Sequence, residues 1–238
     1  MKRSIKPIEK LLEKLIGKIQ AAIAQAYNYY YFRKKKIPKF EYKLRKHFLK
    51  KFHQFGTNDF YQSYPPLKIR GVRDTICRFK IYGLDKELTK KQVVLDIGGN
   101  ISFFSAYISR YVSKIDVVEF DKSLTDIGEK LVKKERINNL KIHNIDFKKF
   151  YPGYKYDLIL SLAIHKWVGM DFKSYLKRIH SFLKEDGKLL LESHGISYYE
   201  GDNLEDSLNK IKFFTIIKKD IIDDQQGRIR EFFWLKKA

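Results

Sequence analysis

Asp96 is the residue around which chemistry can be built, because it closes the apolar run Val93, Val94 and Leu95 and is followed by Ile97, Gly98, Gly99 and Asn100. A carboxylate set just before two residues without Cβ is a ligand-facing arrangement. The acid supplies fixed negative charge, while the glycines let the backbone turn at positive φ and approach a bound molecule closely. Asn100 tolerates the same conformation less readily. The elements that position these groups follow from pattern. Val93, Val94, Leu95 and Ile97 read as a strand buried on both faces, which puts the acid and the turn at a strand's carboxyl end. A second run, Ile115, Val117 and Val118, ends in Glu119, and the interval from Asp96 suits one crossover helix between adjacent parallel strands. Glu119 falls on the alternation of Ile115 and Val117, whereas Asp121 lies beyond it.

Further along, Leu140 to Ile145 gives a third strand closed by Asp146 and Phe147, and Tyr156 to Leu160 gives a fourth leading into SLAIHKW. Asp186 to Ser193 reads as a fifth strand entered through a Gly turn. Phe213 to Ile217 and Ile229 to Leu235, separated by a polar turn with Asp223, Asp224 and Gly227, carry a hairpin signal. This ordered set resembles the class I S-adenosylmethionine-dependent methyltransferases from about Val93 to the C-terminus. The resemblance implies an α/β, Rossmann-like fold: a seven-stranded, mostly parallel sheet with an antiparallel C-terminal strand inserted beside the fifth. It also implies S-adenosylmethionine as cofactor. Asp96, Gly98, Gly99 and Asn100 would lie against its amino-acid end. Glu119 would hold the ribose hydroxyls, with Asp121 as the alternative. Asp146 would meet the adenine amino group, Phe147 would cover the ring, and Ser161 after strand four joins the cofactor set. A dinucleotide-binding dehydrogenase is disfavoured, because GGNISF from Gly98 lacks the remaining glycines of G-x-G-x-x-G.

One position departs from the family pattern. Its third small residue is usually Gly and here is Ser102, whose hydroxyl is expected to cap the helix FFSAYISRYV. The departure also keeps open a non-catalytic binding module with a methyltransferase fold.

In this fold the methyl group faces the loops after strands four and five, which carry His165, Lys166 and Trp167 and then Glu192, Ser193 and His194. Methyl transfer needs proximity and alignment, plus a base when the acceptor is a hydroxyl, and His165 and His194 are the candidate bases. SLAIHKWV locally resembles the segment after strand four in the RNA methylphosphate capping enzymes; by that likeness Lys166 and Trp167 would face an RNA end, and Trp167 would otherwise close the cofactor pocket as a lid. Arg70, Arg73 and Arg78, in the segment Tyr64 to Leu84, are candidates for an anionic acceptor or the cofactor carboxylate.

The net charge of +21 is unevenly spread: sixteen of the 49 Lys and Arg, but three of the 28 acids, fall within residues 1–56. This divides the chain into a basic helical accessory region, 1–60, and a methyltransferase domain, 64–238. Ile5, Ile8, Leu12, Leu15, Ile19, Ile23, Ala26 and Tyr30 share one face of a first helix, and a second runs from Phe40 to Phe55. The stripe suits packing on the catalytic domain or on a second copy, an anionic membrane surface, or RNA. The acceptor is expected to be anionic, either a small molecule, envelope glycan or lipid precursor, with RNA as the alternative. The single Cys77 excludes an internal disulfide and is expected to pack as a small hydrophobe beside Ile76 and Phe79. Neither a cleavable signal peptide nor a bilayer-spanning run is visible, so a cytoplasmic location is expected, or a peripheral one at the inner face of the membrane.

Overall fold

Val93–Ile97 forms strand β1 as its apolar run demands, with Val94, Leu95 and Ile97 buried. The structure, a computed structural model, describes residues 37–49, 59–194, 204–223 and 227–238, together with 15, 19, 26, 30 and 225. The chain divides into two units, Met1–Phe60 and Tyr61–Ala238.

In the first unit, helix α1 (Lys39–Leu49) opens directly after Pro38. Arg45 pairs with Glu41 and Asp59 and lies 4.6 Å over the Phe60 ring, whose centroid is 5.3 Å from that of Phe48. Of the expected helix from Phe40 to Phe55, the part beyond Leu49 lies outside the described residues. So does most of the helix before it, of which Leu15, Ile19, Ala26 and Tyr30 are helical and exposed. Among the described residues no helix is long and apolar enough to cross a membrane.

In the second unit, helices α2 (Thr75–Ile81) and α3 (Leu84–Glu87) precede β1. After β1 come α4 (Phe103–Ile108), β2 (Lys114–Glu119), α5 (Lys122–Glu135), β3 (Leu140–Asn144), β4 (Tyr156–Leu162), α6 (Phe172–Phe182), β5 (Leu183–Glu192), α7 (Leu204–Ile211), β6 (Phe214–Asp223) and β7 (Ile229–Lys237). The strands form one sheet in the order β3-β2-β1-β4-β5-β7-β6. The first five are parallel, and β7 runs antiparallel between β5 and β6, as the hairpin signal implied. The run Phe232, Phe233, Trp234 and Leu235 is buried throughout, as an interior strand covered on both faces requires. Edge strand β6 instead exposes Lys218, Lys219 and Asp220, charges that discourage pairing with another chain. Asp74, Asp121 and Asp171 cap α2, α5 and α6, each accepting a backbone N–H of the first turn.

Several boundaries differ from the sequence expectation: in the hairpin, β6 runs on from Ile217 to Asp223, which was expected in the turn, and β7 runs on from Leu235 to Lys237. Strand β4 runs two residues further, so Ser161 lies within it. Strand β5 starts at Leu183, because Leu183 pairs with Tyr156 ahead of an irregularity that carries Gly187 inside the strand. Helix α4 stops at Ile108 and continues as a 3-10 turn from Ser109 to Tyr111. Cys77 is also corrected, since on the outer side of α2 it is exposed.

Candidate active site

The turn after β1 is held by its own backbone and by the two neighbouring strands. Gly98 has φ +71°, and its N–H donates to the Val118 carbonyl at 2.8 Å. A Cβ on Gly98 would stand 2.4 Å from Cγ1 of Ile164, and one on Gly99 2.4 Å from Cγ1 of Val117. Both glycines are therefore required by close approach. Asn100 also adopts positive φ, and its side-chain oxygen accepts the Ile101 N–H at 2.8 Å.

Two carboxylates flank this turn at adjacent strand ends. Asp96 is 3% exposed, and the Ser105 hydroxyl donates to it. Burial lifts its pKa to about 6, against the opposing pull of that hydroxyl and of the Arg78 charge. Glu119 accepts the N–H groups of Asn100 and Asp121, each at 3.0 Å, and burial raises its pKa despite them. Asp121 spends its own carboxylate on the Ser123 N–H and hydroxyl as the α5 cap. Of the two acids considered after β2, Glu119 is thus the one facing the turn.

Ser102 stands at the N-terminal position of α4 in a left-handed conformation, φ 60°, without a side-chain cap bond. The capping expectation is therefore corrected. Its buried hydroxyl points instead at α5, where a Cβ on Gly128 would meet Oγ at 2.9 Å. The missing glycine of the turn is matched by a glycine on the facing helix.

Asp146 accepts the Lys148 N–H at 2.8 Å, opening a short 3-10 turn from Phe147 to Lys149. The Phe147 ring is buried against Tyr175 and Phe182, with centroids 5.5 and 6.0 Å away, and Arg178 holds its carbonyl. The ring thus packs in the core, where the resemblance implied a cover over the adenine. Ser161 is fully buried and exchanges a 2.8 Å hydrogen bond with the Tyr175 hydroxyl, which sets it inside the sheet rather than on a ligand loop.

At the ends of β4 and β5 the two candidate bases meet. His165 and His194 are both buried, with ring centroids 4.7 Å apart. The Ala163 N–H donates to the Glu192 carbonyl at 3.2 Å and ties the two strand ends together. Burial, then the charges of His165, Arg230 and Lys166, push the His194 imidazole down to about 3. Trp167 is 61% exposed, and its ring centroid lies 6.2 Å from that of His194, at the rim of the pair.

Beside this pair sits a buried charge cluster that sequence reasoning found only in part. Glu192 pairs with Arg78 at 2.6 Å and Arg230 at 3.3 Å, and accepts the Tyr82 hydroxyl at 2.8 Å. Arg73 is buried and its guanidinium lies 4.2 Å over the Tyr61 ring, whereas Arg70 is exposed. Arg230 was missed, although its alternation with Phe232 and Trp234 places it on an inward face of β7.

The methyltransferase domain family matches residues 69–218, more than half of the chain. The chain belongs to that family. Malonyl-[acyl-carrier protein] O-methyltransferase 2 of Ilyobacter polytropus is 31% identical over 122 residues, covering 50% of this chain and 44% of that protein. The chain thus spans less than half the length of this curated relative. Among solved structures, the N-methyltransferase NodS of Bradyrhizobium japonicum WM9 superposes with a TM-score of 0.56 at 12% identity, over 68% of this chain and 93% of NodS. The Burkholderia thailandensis 1,6-didemethyltoxoflavin-N1-methyltransferase, solved with its acceptor and S-adenosylhomocysteine, gives 0.57 at 15% identity over 69% and 78%. These likenesses establish the fold of a class I methyltransferase domain, whose cofactor is S-adenosylmethionine. The donor set suits it: a desolvated carboxylate at Asp96 fits a positively charged amino-acid end, and the two oxygens of Glu119 fit vicinal hydroxyls.

Proposed function

We propose that this chain transfers a methyl group from S-adenosylmethionine to a small acceptor bearing negative charge, reached at the ends of β4 and β5. The observation that carries this reading is the enclosed His165–His194 pair at the ends of β4 and β5, with His194 two residues on from Glu192, a buried glutamate held by Arg78 and Arg230. S-adenosylmethionine, when bound, supplies an electrophilic methyl group. Asp96, Gly98, Gly99, Asn100, Glu119 and Asp146 hold the cofactor, by charge at the two buried acids and by close backbone approach at the glycines. His194, uncharged at neutral pH, accepts a hydrogen bond from the acceptor and orients it. His165 takes the acceptor's proton at a ring nitrogen. Two buried imidazoles suit a small acceptor, since a folded RNA would meet an open basic face. The curated relative is named for a malonyl acceptor, itself an acid, which agrees with the sign of the charge near the site.

RNA remains the second reading. It is supported by exposed Lys166 and Trp167, a cation and a stacking face side by side at the rim of the same site. The two part on one experiment: labelled S-adenosylmethionine incubated with protein and fractionated cell extract. Label should enter RNase-resistant, low-molecular-weight material. His165→Ala should lower the rate by about 10²-fold or more with cofactor affinity intact. Label confined to RNase-sensitive material overturns the small-acceptor reading.

A further inference from the structure

Arg78 is 3% exposed, and its three guanidinium nitrogens are unequally used. Nε bonds the Tyr82 hydroxyl at 3.0 Å, and Nη2 bonds the same hydroxyl and Glu192. Nη1 is enclosed and makes no hydrogen bond among the described residues. A buried guanidinium N–H without an acceptor is costly, and such groups in native folds ordinarily meet a partner. What lies near it is more positive charge. Burial, and then the charges of Arg78 and Arg230, hold Arg73 below the ordinary arginine value although Tyr61 opposes them. Arg78 on α2 and Arg230 on β7 reach the same Glu192 carboxylate, and Arg73, just before α2, stands within range of both charges. The same charges reach the reaction zone on both sides, since Arg78 is felt at Asp96 and Arg230 at His194.

We propose that Arg78, flanked by Arg73 and Arg230, seats an anionic group of the methyl acceptor, a carboxylate or a phosphate, beside the His165–His194 pair. This rests on the small anionic acceptor argued above and names its anchor. A planar guanidinium with two of its nitrogens fixed by Tyr82 and Glu192 is preorganised for an anionic oxygen at the third. Glu192 then acts as a positioning residue that holds Arg78 and Arg230 in place. The negative charge also offsets the positive field at His194, so the arriving acceptor makes that imidazole more basic.

The cofactor's own carboxylate is the competing source of the same chemistry. The test separates them by titrating malonate and inorganic phosphate, by calorimetry, into full-length protein already saturated with S-adenosylhomocysteine. At least one anion should bind, and Arg78→Lys, which keeps the charge but loses the fork, should weaken it at least tenfold. S-adenosylhomocysteine affinity should stay within twofold. A tenfold loss of S-adenosylhomocysteine affinity with anion binding unchanged assigns Arg78 to the cofactor and overturns the proposal. Unchanged affinity for both ligands overturns the Arg78 assignment alone, leaving the anionic acceptor standing. Absence of any anion binding to the wild-type complex removes both. Should the variant not fold, the wild type still decides: malonate must shift the His194 ring resonances in the S-adenosylhomocysteine complex, and unmoved resonances at saturating malonate overturn the seat.

Discussion

Asp96 and Asp116 are both buried aspartates on neighbouring parallel strands, each within one residue of the other across the β1–β2 register, yet their surroundings are opposite. Asp116 receives His143 Nε2 at 3.0 Å, the Tyr156 hydroxyl at 3.0 Å and the Tyr154 hydroxyl. Burial alone would raise its pKa, but these hydrogen bonds outweigh it and hold the carboxyl below the ordinary aspartate value. Among the described residues Asp96 has one hydroxyl donor, Ser105, and burial wins. A buried charge supplied with donors by its own chain is a structural fastening. One left short of donors near the end of a strand, beside a tight turn, suits a positive group that arrives from outside, the role proposed above for Asp96.

The largest effect expected from this comparison is at the satisfied acid. Asp116→Asn removes the charge to which two tyrosines and a histidine donate, and should cost about 3 kcal/mol of unfolding free energy. Denaturant unfolding with the slope unchanged is the measurement. Cofactor affinity should hold within a few-fold, and a stable variant that no longer binds cofactor would reverse the roles of the two residues.

Asp96→Asn should do the converse. A folded-state pKa raised from 3.8 to about 6 means that the ionised carboxylate costs the ligand-free protein about 3 kcal/mol at neutral pH. The substitution therefore leaves stability equal or higher, while S-adenosylmethionine affinity falls about 10- to 100-fold through loss of a charge-assisted contact. The pH dependence carries the same sign. Because the Asp96 pKa is raised on folding, its contribution is full below about 4 and is lost as pH rises through about 6. Asp116 is depressed, so its contribution is present above the ordinary value and is lost as pH falls through the lowered one. Melting curves of the ligand-free wild type and of Asp96→Asn should therefore differ most above pH 6 and converge below pH 4. Parallel profiles at all pH values would remove the distinction.

How much of this was legible in the sequence depends on whether direction or only position was needed. Strands β1 to β4 were readable from apolar runs, and β7 from its hairpin signal, with its place beside β5 implied by the family resemblance. Gly187 looked like a turn because a glycine ahead of a strand usually is one, whereas here it sits within β5 beside a register shift set by Tyr156 and Leu183. Phe147 holds a ligand-side position in the motif, but its ring turns toward α6, which only the packing with Tyr175 and Phe182 reveals. Ser102 has the residue type and place of a helix cap, yet its left-handed backbone turns the hydroxyl to Gly128, twenty-six positions away. Arg230 was accessible through strand alternation. What alternation could not show is that Arg73, Arg78 and Glu192 converge with it, since that depends on how α2 docks against the ends of β5 and β7.

The smallest and sharpest test removes one hydroxyl from each aspartate. Tyr156→Phe leaves Asp116 with His143 and Tyr154, so the acid stays ionised and the loss should be about 1 kcal/mol, the net value of one hydrogen bond. Ser105→Ala takes from Asp96 the donor that opposes its desolvation, so its pKa should climb further and the pH at which stability is lost should move up with it. At neutral pH the cost is about 1 to 2 kcal/mol, read by denaturant unfolding. Saturating S-adenosylmethionine should then separate the pair. If Asp96 awaits a positive group, bound cofactor restores part of the Ser105→Ala loss, beyond the stabilisation any ligand gives the native state, and restores none of the Tyr156→Phe loss. Equal rescue of the two variants would show that Asp96, like Asp116, serves the fold alone.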